Sequence, residues 1–184
     1  MFYTMNVAGL KRDLPICPVN EKLYIAGFVI FGDPELTECC ARELLKKAPE
    51  YDYIITAEAK GIPLAHEMAR QAGDARYILA RKAPKLYMRD VFSVTVRSIT
   101  TAREQTLYLD GADAALIKGK RVLIVDDVIS TGESLKALET LAEEAGGIIC
   151  GKMAILAEGD AQERSDLIYL EKLPLLNPDG TVKA

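Results

Sequence analysis

Two adjacent carboxylates, Asp126 and Asp127, close the apolar run Val122-Leu123-Ile124-Val125. The short stretch Ile129-Ser130-Thr131-Gly132-Glu133-Ser134 follows, and then a helical pattern begins. A helix start offers unpaired N–H groups and the positive end of a dipole, which together make an anion site. Gly132 lets the backbone approach a phosphate closely. Ser130, Thr131 and Ser134 add hydroxyl donors. Two carboxylates beside such a cradle repel a phosphate, but they suit sugar hydroxyls or a metal ion. A phosphorylated sugar satisfies both halves: phosphate on the loop, hydroxyls on the acids. The same residues also admit a plain reading, because Ser130-x-x-Glu133 is a capping box and needs no ligand. A capping box directly after a buried strand that ends in two acids is much rarer.

Two further segments carry chemistry. Glu58-Ala59-Lys60-Gly61 follows a short apolar run, where Lys60 and backbone N–H groups can hold an anion. Arg81, Lys82, Lys85 and Arg89 form a basic cluster after the next run. An ordinary strand-to-helix turn and a solvated loop are the bland alternatives for these two. The one histidine, His66, lacks the second His of a zinc-protease helix and reads as a surface or second-layer residue. Cys39 and Cys40 are adjacent, Cys17 and Cys150 stand apart, and no CxxC occurs. Zinc spacing is therefore absent, and reduced thiols in a cytoplasmic setting are expected.

The elements that must position these residues alternate. Residues 22–31 read as an extended apolar segment. Asp33-Pro34 opens a helix, with Asp as cap and Pro at the first position. Its stripe is Leu36, Cys40, Leu44 and Leu45, and Pro49 marks its end. Residues 53–57 form a short buried strand. Pro63 begins a helix that Gly73 closes. Residues 76–80 and 121–125 supply further strands. Residues 91–97 alternate with period two, as a half-exposed strand does, and residues 106–109 can return beside them. The pattern predicts a helix over 133–145, with Leu135, Leu138, Leu141, Ala142 and Ala145 inward. Gly146-Gly147 ends it, and strands follow at 148–156 and 167–170. Such alternation predicts an α/β fold with a parallel sheet covered on both faces. Ligands of these sheets bind beyond the carboxyl ends of the strands.

Composition bounds the partners. The 184 residues favour a single domain, with 49% hydrophobic and 27% charged residues. These values exclude a disordered or collagenous chain. With 23 Lys plus Arg against 27 Asp plus Glu, the net charge is −4, which argues against nucleic acid as a partner. No apolar run reaches the roughly 18 residues of a spanning helix. The N-terminus lacks a basic start before an apolar stretch, so neither a membrane partner nor a signal peptide is expected. An acidic chain of this kind binds an anion only through a local site.

The stretch from Val122 to Ser134 resembles the phosphoribosyl-pyrophosphate (PRPP) motif of type I phosphoribosyltransferases: an apolar strand, two acids, two apolar residues, then a Thr-Gly phosphate loop. The likeness covers roughly residues 25–155. It implies a Rossmann-like parallel sheet flanked by helices, a small N-terminal hood and a flexible β-hairpin loop. In this reading residues 1–35 form the hood segment, 36–170 the core and 171–184 a C-terminal tail. Asp126 and Asp127 then hold the ribose hydroxyls, and Ile129, Ser130, Thr131, Gly132, Glu133 and Ser134 hold the 5-phosphate. Glu133 departs from the small residue that many members carry there. The turn with Ala59 and Lys60 falls where the family binds pyrophosphate, on a loop that members often hold with a non-proline cis peptide. Arg81 and Lys82, with Lys85, resemble the pyrophosphate-facing pair of adenine and xanthine enzymes. Residues 98–108 resemble the closing loop, and Glu104 in it is the candidate for handling a purine proton.

Gly27-Phe28-Val29-Ile30-Phe31-Gly32-Asp33 resembles the hood segment of adenine phosphoribosyltransferases, one residue longer. Phe28 or Phe31 could stack on a purine or pack in the core, and Val29 stands where xanthine enzymes carry an amide. Ser130 occupies the place of an Asp in hypoxanthine–guanine enzymes, which argues against that type. The family implies a homodimer and Mg²⁺ carried by PRPP near Asp126 and Asp127. The reading that results is a purine phosphoribosyltransferase of adenine type, with a xanthine-type enzyme as one alternative. The other is a non-catalytic PRPP sensor, because residues 60–65 and 91–109 also resemble the effector domain of the purine operon repressor. A nucleotide kinase is disfavoured, since Gly-x-x-x-x-Gly-Lys-Ser/Thr is absent.

Overall fold

An apolar run with no polar alternation is stable as a strand only where both of its faces are covered. Val122, Leu123, Ile124 and Val125 are all fully buried. In the computed structural model they stand in the centre of a five-stranded parallel sheet. The structure describes residues 1–97 and 104–183. The elements are β1 (Phe2–Val7), β2 (Leu10–Asn20), β3 (Leu23–Ala26), α1 (Pro34–Leu45), β4 (Tyr53–Ala57) and α2 (Ile62–Ala72). Then come β5 (Ile78–Ala80), β6 (Phe92–Arg97), β7 (Glu104–Leu109), α3 (Gly111–Ile117), β8 (Arg121–Ile129) and α4 (Glu133–Glu144). The chain ends with β9 (Ile148–Glu158), a 3-10 turn (Gly159–Glu163), β10 (Ile168–Leu173) and β11 (Leu175–Leu176).

The parallel sheet has the order β10-β9-β8-β4-β5. The pleat of β8 divides its side chains between two layers. Leu123 and Val125 join the core cluster that contains Leu36, Cys40 and Leu44 of α1 and Leu64 and Met68 of α2. Val122 and Ile124 join the cluster that contains Ile117 of α3 and Leu135, Leu138 and Leu141 of α4. Helices therefore cover both faces, as the alternation requires. From β4 the chain winds outward to β5, and from β8 it winds the other way through β9 to β10. The direction switches between β4 and β8, which is where open α/β sheets hold ligands.

Local signals explain most boundaries. Asp33 caps α1, accepting from Leu36 N at 3.0 Å, and Arg12 of β2 clasps the same carboxylate at 2.7 and 3.2 Å. The guanidinium holds Asp33 below the usual carboxylate range. Gly73 closes α2 in the left-handed region at φ +77°, a conformation that a Cβ disfavours. β6 and β7 pair antiparallel from Phe92↔Leu109 to Arg97↔Glu104, as their period-two pattern implies. All four cysteines are free thiols. No described helix is long and apolar enough to cross a membrane.

Several boundaries differ from expectation. The extended segment at 22–31 is a strand only over Leu23–Ala26, because residues 27–30 leave the ladder before the α1 cap. The strand expected over 76–80 pairs only from Ile78. Residues 1–20 form β1 and β2, and the expected tail supplies β11, so that β1-β2-β3-β11 make a separate antiparallel sheet from both chain ends. The short helix α3, capped by Asp110 accepting from Ala112 N, was not foreseen.

Leu123 tests the central layer. Its side chain is fully buried between β8 and the α1–α2 layer, so Leu123→Ala is expected to cost roughly 2–5 kcal/mol in urea unfolding.

Candidate active site

The two acids stand inside β8, not beyond it. β8 pairs with β4 only from Tyr53↔Val122 to Ile55↔Ile124. It goes on pairing with β9 through Asp126↔Ala154 to Ile129↔Ala157. Past Ile124 the two strands part, and Asp126 and Asp127 sit on the wall of the opening. The sequence reading placed them at a strand end because the apolar run stops at Val125. The ladder to β9 carries the strand four residues further.

Burial and charge then act on the pair. Asp127 is buried, and Lys60 Nζ lies 2.8 Å from its Oδ2. Asp126 Oδ1 accepts the Asp127 backbone N–H at 2.8 Å. Desolvation and the neighbouring Asp127 charge push Asp126 up to about 7. Lys60 also draws down Glu158 at the end of β9, whose carboxyl is nevertheless raised by burial. One lysine thus serves an acidic neighbourhood.

The turn after β4 makes the opposite wall. The Glu58–Ala59 peptide bond is cis. Glu58 accepts the Lys82 backbone N–H at 2.9 Å and pairs with Arg81 Nε at 2.8 Å, so it ties this turn to the segment after β5. Gly61 is required by space. A Cβ there would lie 2.2 Å from Thr56 Oγ1 and 3.0 Å from Asp126 Oδ1. Only a residue without a side chain lets α2 start so close to the acids.

The loop of residues 129–134 closes the third side. Gly132, at φ +78°, is the N-cap of α4, which begins at Glu133. The Ser130–Glu133 capping box is therefore not formed, because a Ser130 cap would need the helix to start two residues earlier. Instead Thr131 Oγ1 lies 3.5 Å from Glu133 N. Ser130, Thr131 and Ser134 are exposed at the helix start, whose first-turn amides have no intrahelical acceptor.

Together these walls enclose a cleft of about 370 Å³, lined by residues 57–60, Lys82, Gln105 and residues 126–135. Asp126, Asp127, the whole 129–134 loop, Ala59, Lys60 and Lys82 are thus brought together. Other candidates lie elsewhere. Arg81 is turned to Glu58 and to the Tyr87 hydroxyl at 2.8 Å, and neither Arg81 nor Lys85 lines the cleft. Glu104 is exposed and outside the lining, whereas Gln105, the next residue, belongs to it. Residues 98–103 of the expected closing loop lie outside the described residues. Phe28 is 4% exposed and packs in the core, while Val29 and Phe31 are exposed; none of the three lines the cleft. His66 is exposed on α2, edge-on to Tyr77 at 6.0 Å between ring centroids. The sequence reading missed Gln105, which lines the cleft from β7, and Glu158 at the end of β9, which lies within the influence of Lys60.

An open parallel sheet with a loop, a helix start and two carboxylates around a cleft at its switch point has the architecture of an α/β ligand-binding domain. Residues 37–173 match the family model of the phosphoribosyl transferase domain, and the chain belongs to that family. The chain is 32% identical over 162 residues to hypoxanthine/guanine phosphoribosyltransferase of Methanothermococcus okinawensis, covering 84% of each chain. It is 29% identical over 166 residues to adenine phosphoribosyltransferase of Kosmotoga olearia, covering 89% of this chain and 94% of that one. The crystal structure of adenine phosphoribosyltransferase from Thermoanaerobacter pseudethanolicus has the same fold. It superposes with a TM-score of 0.66 at 24% identity, over 78% of this chain and 84% of that one. Relatives named for both base types therefore match, and the argument from Ser130 against the hypoxanthine–guanine type finds no support in them.

The raised Asp126 sets a pH test. Its folded-state pKa lies above the unfolded value, so its contribution to stability is present at low pH and is lost as pH rises through the folded pKa. Asp126→Asn keeps the acceptor for Asp127 N and removes the charge. The variant is expected to be more stable than the parent at pH 8, on the order of 1–2 kcal/mol in urea unfolding, and the gap should close below about pH 4.

Proposed function

We propose that this chain is a purine phosphoribosyltransferase, which joins a purine base to PRPP and releases pyrophosphate. The observation that carries the reading is the cleft at the β4–β8 switch point, lined both by the helix start after β8 and by two carboxylates. A phosphorylated sugar is the ligand that uses both. In this reading residues 129–134 hold the 5-phosphate, Asp126 and Asp127 accept the ribose hydroxyls, and the Ala59 turn, Lys60 and Lys82 face the pyrophosphate. Arg81 acts through Glu58, by fixing the turn that presents Lys60.

The chemistry these groups serve is displacement at the anomeric carbon. A base nitrogen forms the new C–N bond as the C–O bond to pyrophosphate breaks, and the electron pair leaves with the pyrophosphate. The protein holds the two reactants in line and keeps positive groups where the departing charge grows. Lys60 begins as the partner of Asp127. A pyrophosphate in the cleft competes for that ammonium, so substrate binding and the charge state of the acids are linked.

Magnesium fits this donor set as a passenger of the substrate. Among the described residues no cluster of three or more His, Cys, Asp or Glu is arranged to hold a metal by itself. Mg²⁺ is commonly bound through one or two carboxylates together with substrate phosphates, and Asp126 and Asp127 are the pair available. When bound it would offset phosphate charge.

A 6-oxopurine as the base is favoured by the 32% identical relative named hypoxanthine/guanine phosphoribosyltransferase. Adenine is favoured by the likeness of the 27–33 segment to the adenine-type hood. We also infer a homodimer. Leu86 and Tyr87 are exposed beside Lys85 and Arg89, outside the chain's own cleft, and a partner's cleft is where a family dimer would bring such a cluster.

Purified protein given PRPP, Mg²⁺ and, in separate reactions, adenine, hypoxanthine, guanine or xanthine is expected to release pyrophosphate with at least one base. No monophosphate from any of them sinks the enzyme reading. Asp127→Asn, which removes the charge beside Lys60, is expected to lower kcat/KM for PRPP by about 100-fold or more, in line with the loss of a buried charged partner. Kinetics equal to the parent's would refute its assignment.

A further inference from the structure

The 129–134 loop is backed by a polar cluster to which the proposed reaction gives no role. Arg164 stands just after the 3-10 turn. Its Nε and Nη2 donate to Asp166 Oδ1 and Oδ2 at 3.0 and 2.8 Å. Its Nη1 lies 3.0 Å from the point that a Cβ on Gly132 would occupy. Asp166 also accepts from Lys152 Nζ at 2.7 Å. Lys152 pairs in turn with Glu139, which is buried on α4. Lys136 and Arg164 approach the same Glu139 carboxylate at 3.6 and 3.9 Å.

Three features make this more than a surface ion pair. A two-point fork to a carboxylate fixes the guanidinium plane, so Asp166 decides where Nη1 points. Arg164 and Lys152 hold Asp166 far below the usual carboxylate range, so the fork persists at all ordinary pH. Three cations face the two carboxylates Asp166 and Glu139 near the positive end of the α4 dipole, where Glu133 is the acid of the first turn. Cations at that end of a helix are unfavourable, and an anion bound there reverses the sign.

We propose that Arg164 is a positioning residue for the phosphate held by the 129–134 loop: aimed by Asp166, it backs Gly132 and fixes the loop beneath the anion. The proposal rests on the phosphoribosyltransferase reading and adds to it a residue some 30 positions downstream of the loop. A side chain at position 132 would be strained by the left-handed φ and would have to displace the guanidinium.

Calorimetric titration of the full chain with ribose 5-phosphate and, separately, with pyrophosphate tests this without turnover. Arg164→Gln is expected to weaken ribose 5-phosphate binding about tenfold, or about 1.4 kcal/mol, and leave pyrophosphate within about twofold, because only the first sits on the loop that Arg164 backs. Arg164→Lys, which keeps charge and loses the fork, should fall between. Unchanged ribose 5-phosphate affinity overturns the proposal, and so does an equal loss for both ligands, which is the mark of a merely structural residue. If Arg164→Gln does not fold, Arg164→Lys decides by the same two ligands. A parent chain that binds ribose 5-phosphate and responds to Arg164→Gln, yet turns over no purine, fails the proposed reaction and upholds the role of Arg164. Turnover with an affinity indifferent to Arg164→Gln does the reverse. A parent chain that binds no ribose 5-phosphate overturns both.

Discussion

The parting of β4 from β8 after Ile124 is the constraint on which the site depends. Strands of a parallel sheet satisfy their backbone groups by pairing, so a gap between two central strands must be closed or used. Here β8 keeps its ladder to β9 as far as Ile129, and β4 turns away at Ala57. The opening places two acids on one wall and a turn with a lysine on the other. Gly61 keeps the gap narrow, because its missing side chain lets the start of α2 press against Thr56 and Asp126. The helix start after β8 then closes the third side. A wider or fully paired sheet would hold the same residues and form no cleft.

Charge within the cleft is balanced in layers. Asp127 is matched by Lys60, Glu58 by Arg81, and Asp126 is left to carry the desolvation cost of the group. That cost is why its carboxyl is raised. The wall is acidic, whereas the 129–134 loop offers amides and hydroxyls without a carboxylate until Glu133. An overall charge of −4 is thus compatible with an anionic ligand, because the acids and the anion cradle are separated along one strand. Low dielectric strengthens each of these pairings relative to the surface.

Contiguous features were legible in the sequence and long-range ones were not. The Asp33-Pro34 start of α1, the Gly73 stop of α2, the α4 stripe and the β6–β7 hairpin all follow from residues a few positions apart. So do the loop and helix start that follow the two acids, whose parts span only Asp126 to Ser134. What escaped depends on partners far along the chain. β8 runs past its apolar segment because β9 pairs with it. Gly132, not Ser130, caps α4, since the strand continues to Ile129 and delays the helix. The first sheet joins both chain ends, and β11 has too few residues to show a period. Phe28 illustrates a real ambiguity: an aromatic near a proposed base site serves the core equally well by composition, and here it is buried.

The same division explains why relatives named for different bases match one chain. In the proposed reading, phosphate and ribose contacts come from unbroken segments, the 57–61 turn and the 126–134 stretch, whose geometry is set by backbone conformation and a few small residues. Such segments are shared by any enzyme that must hold the same phosphorylated sugar. In that reading the base would instead meet groups from separate elements, of which Gln105 on β7 lines the cleft. Gln105 lies outside both unbroken segments in sequence, and such a position can change without disturbing the cradle. In that reading selectivity between purines belongs to separate elements of this kind, and the cradle is common to enzymes of either base type.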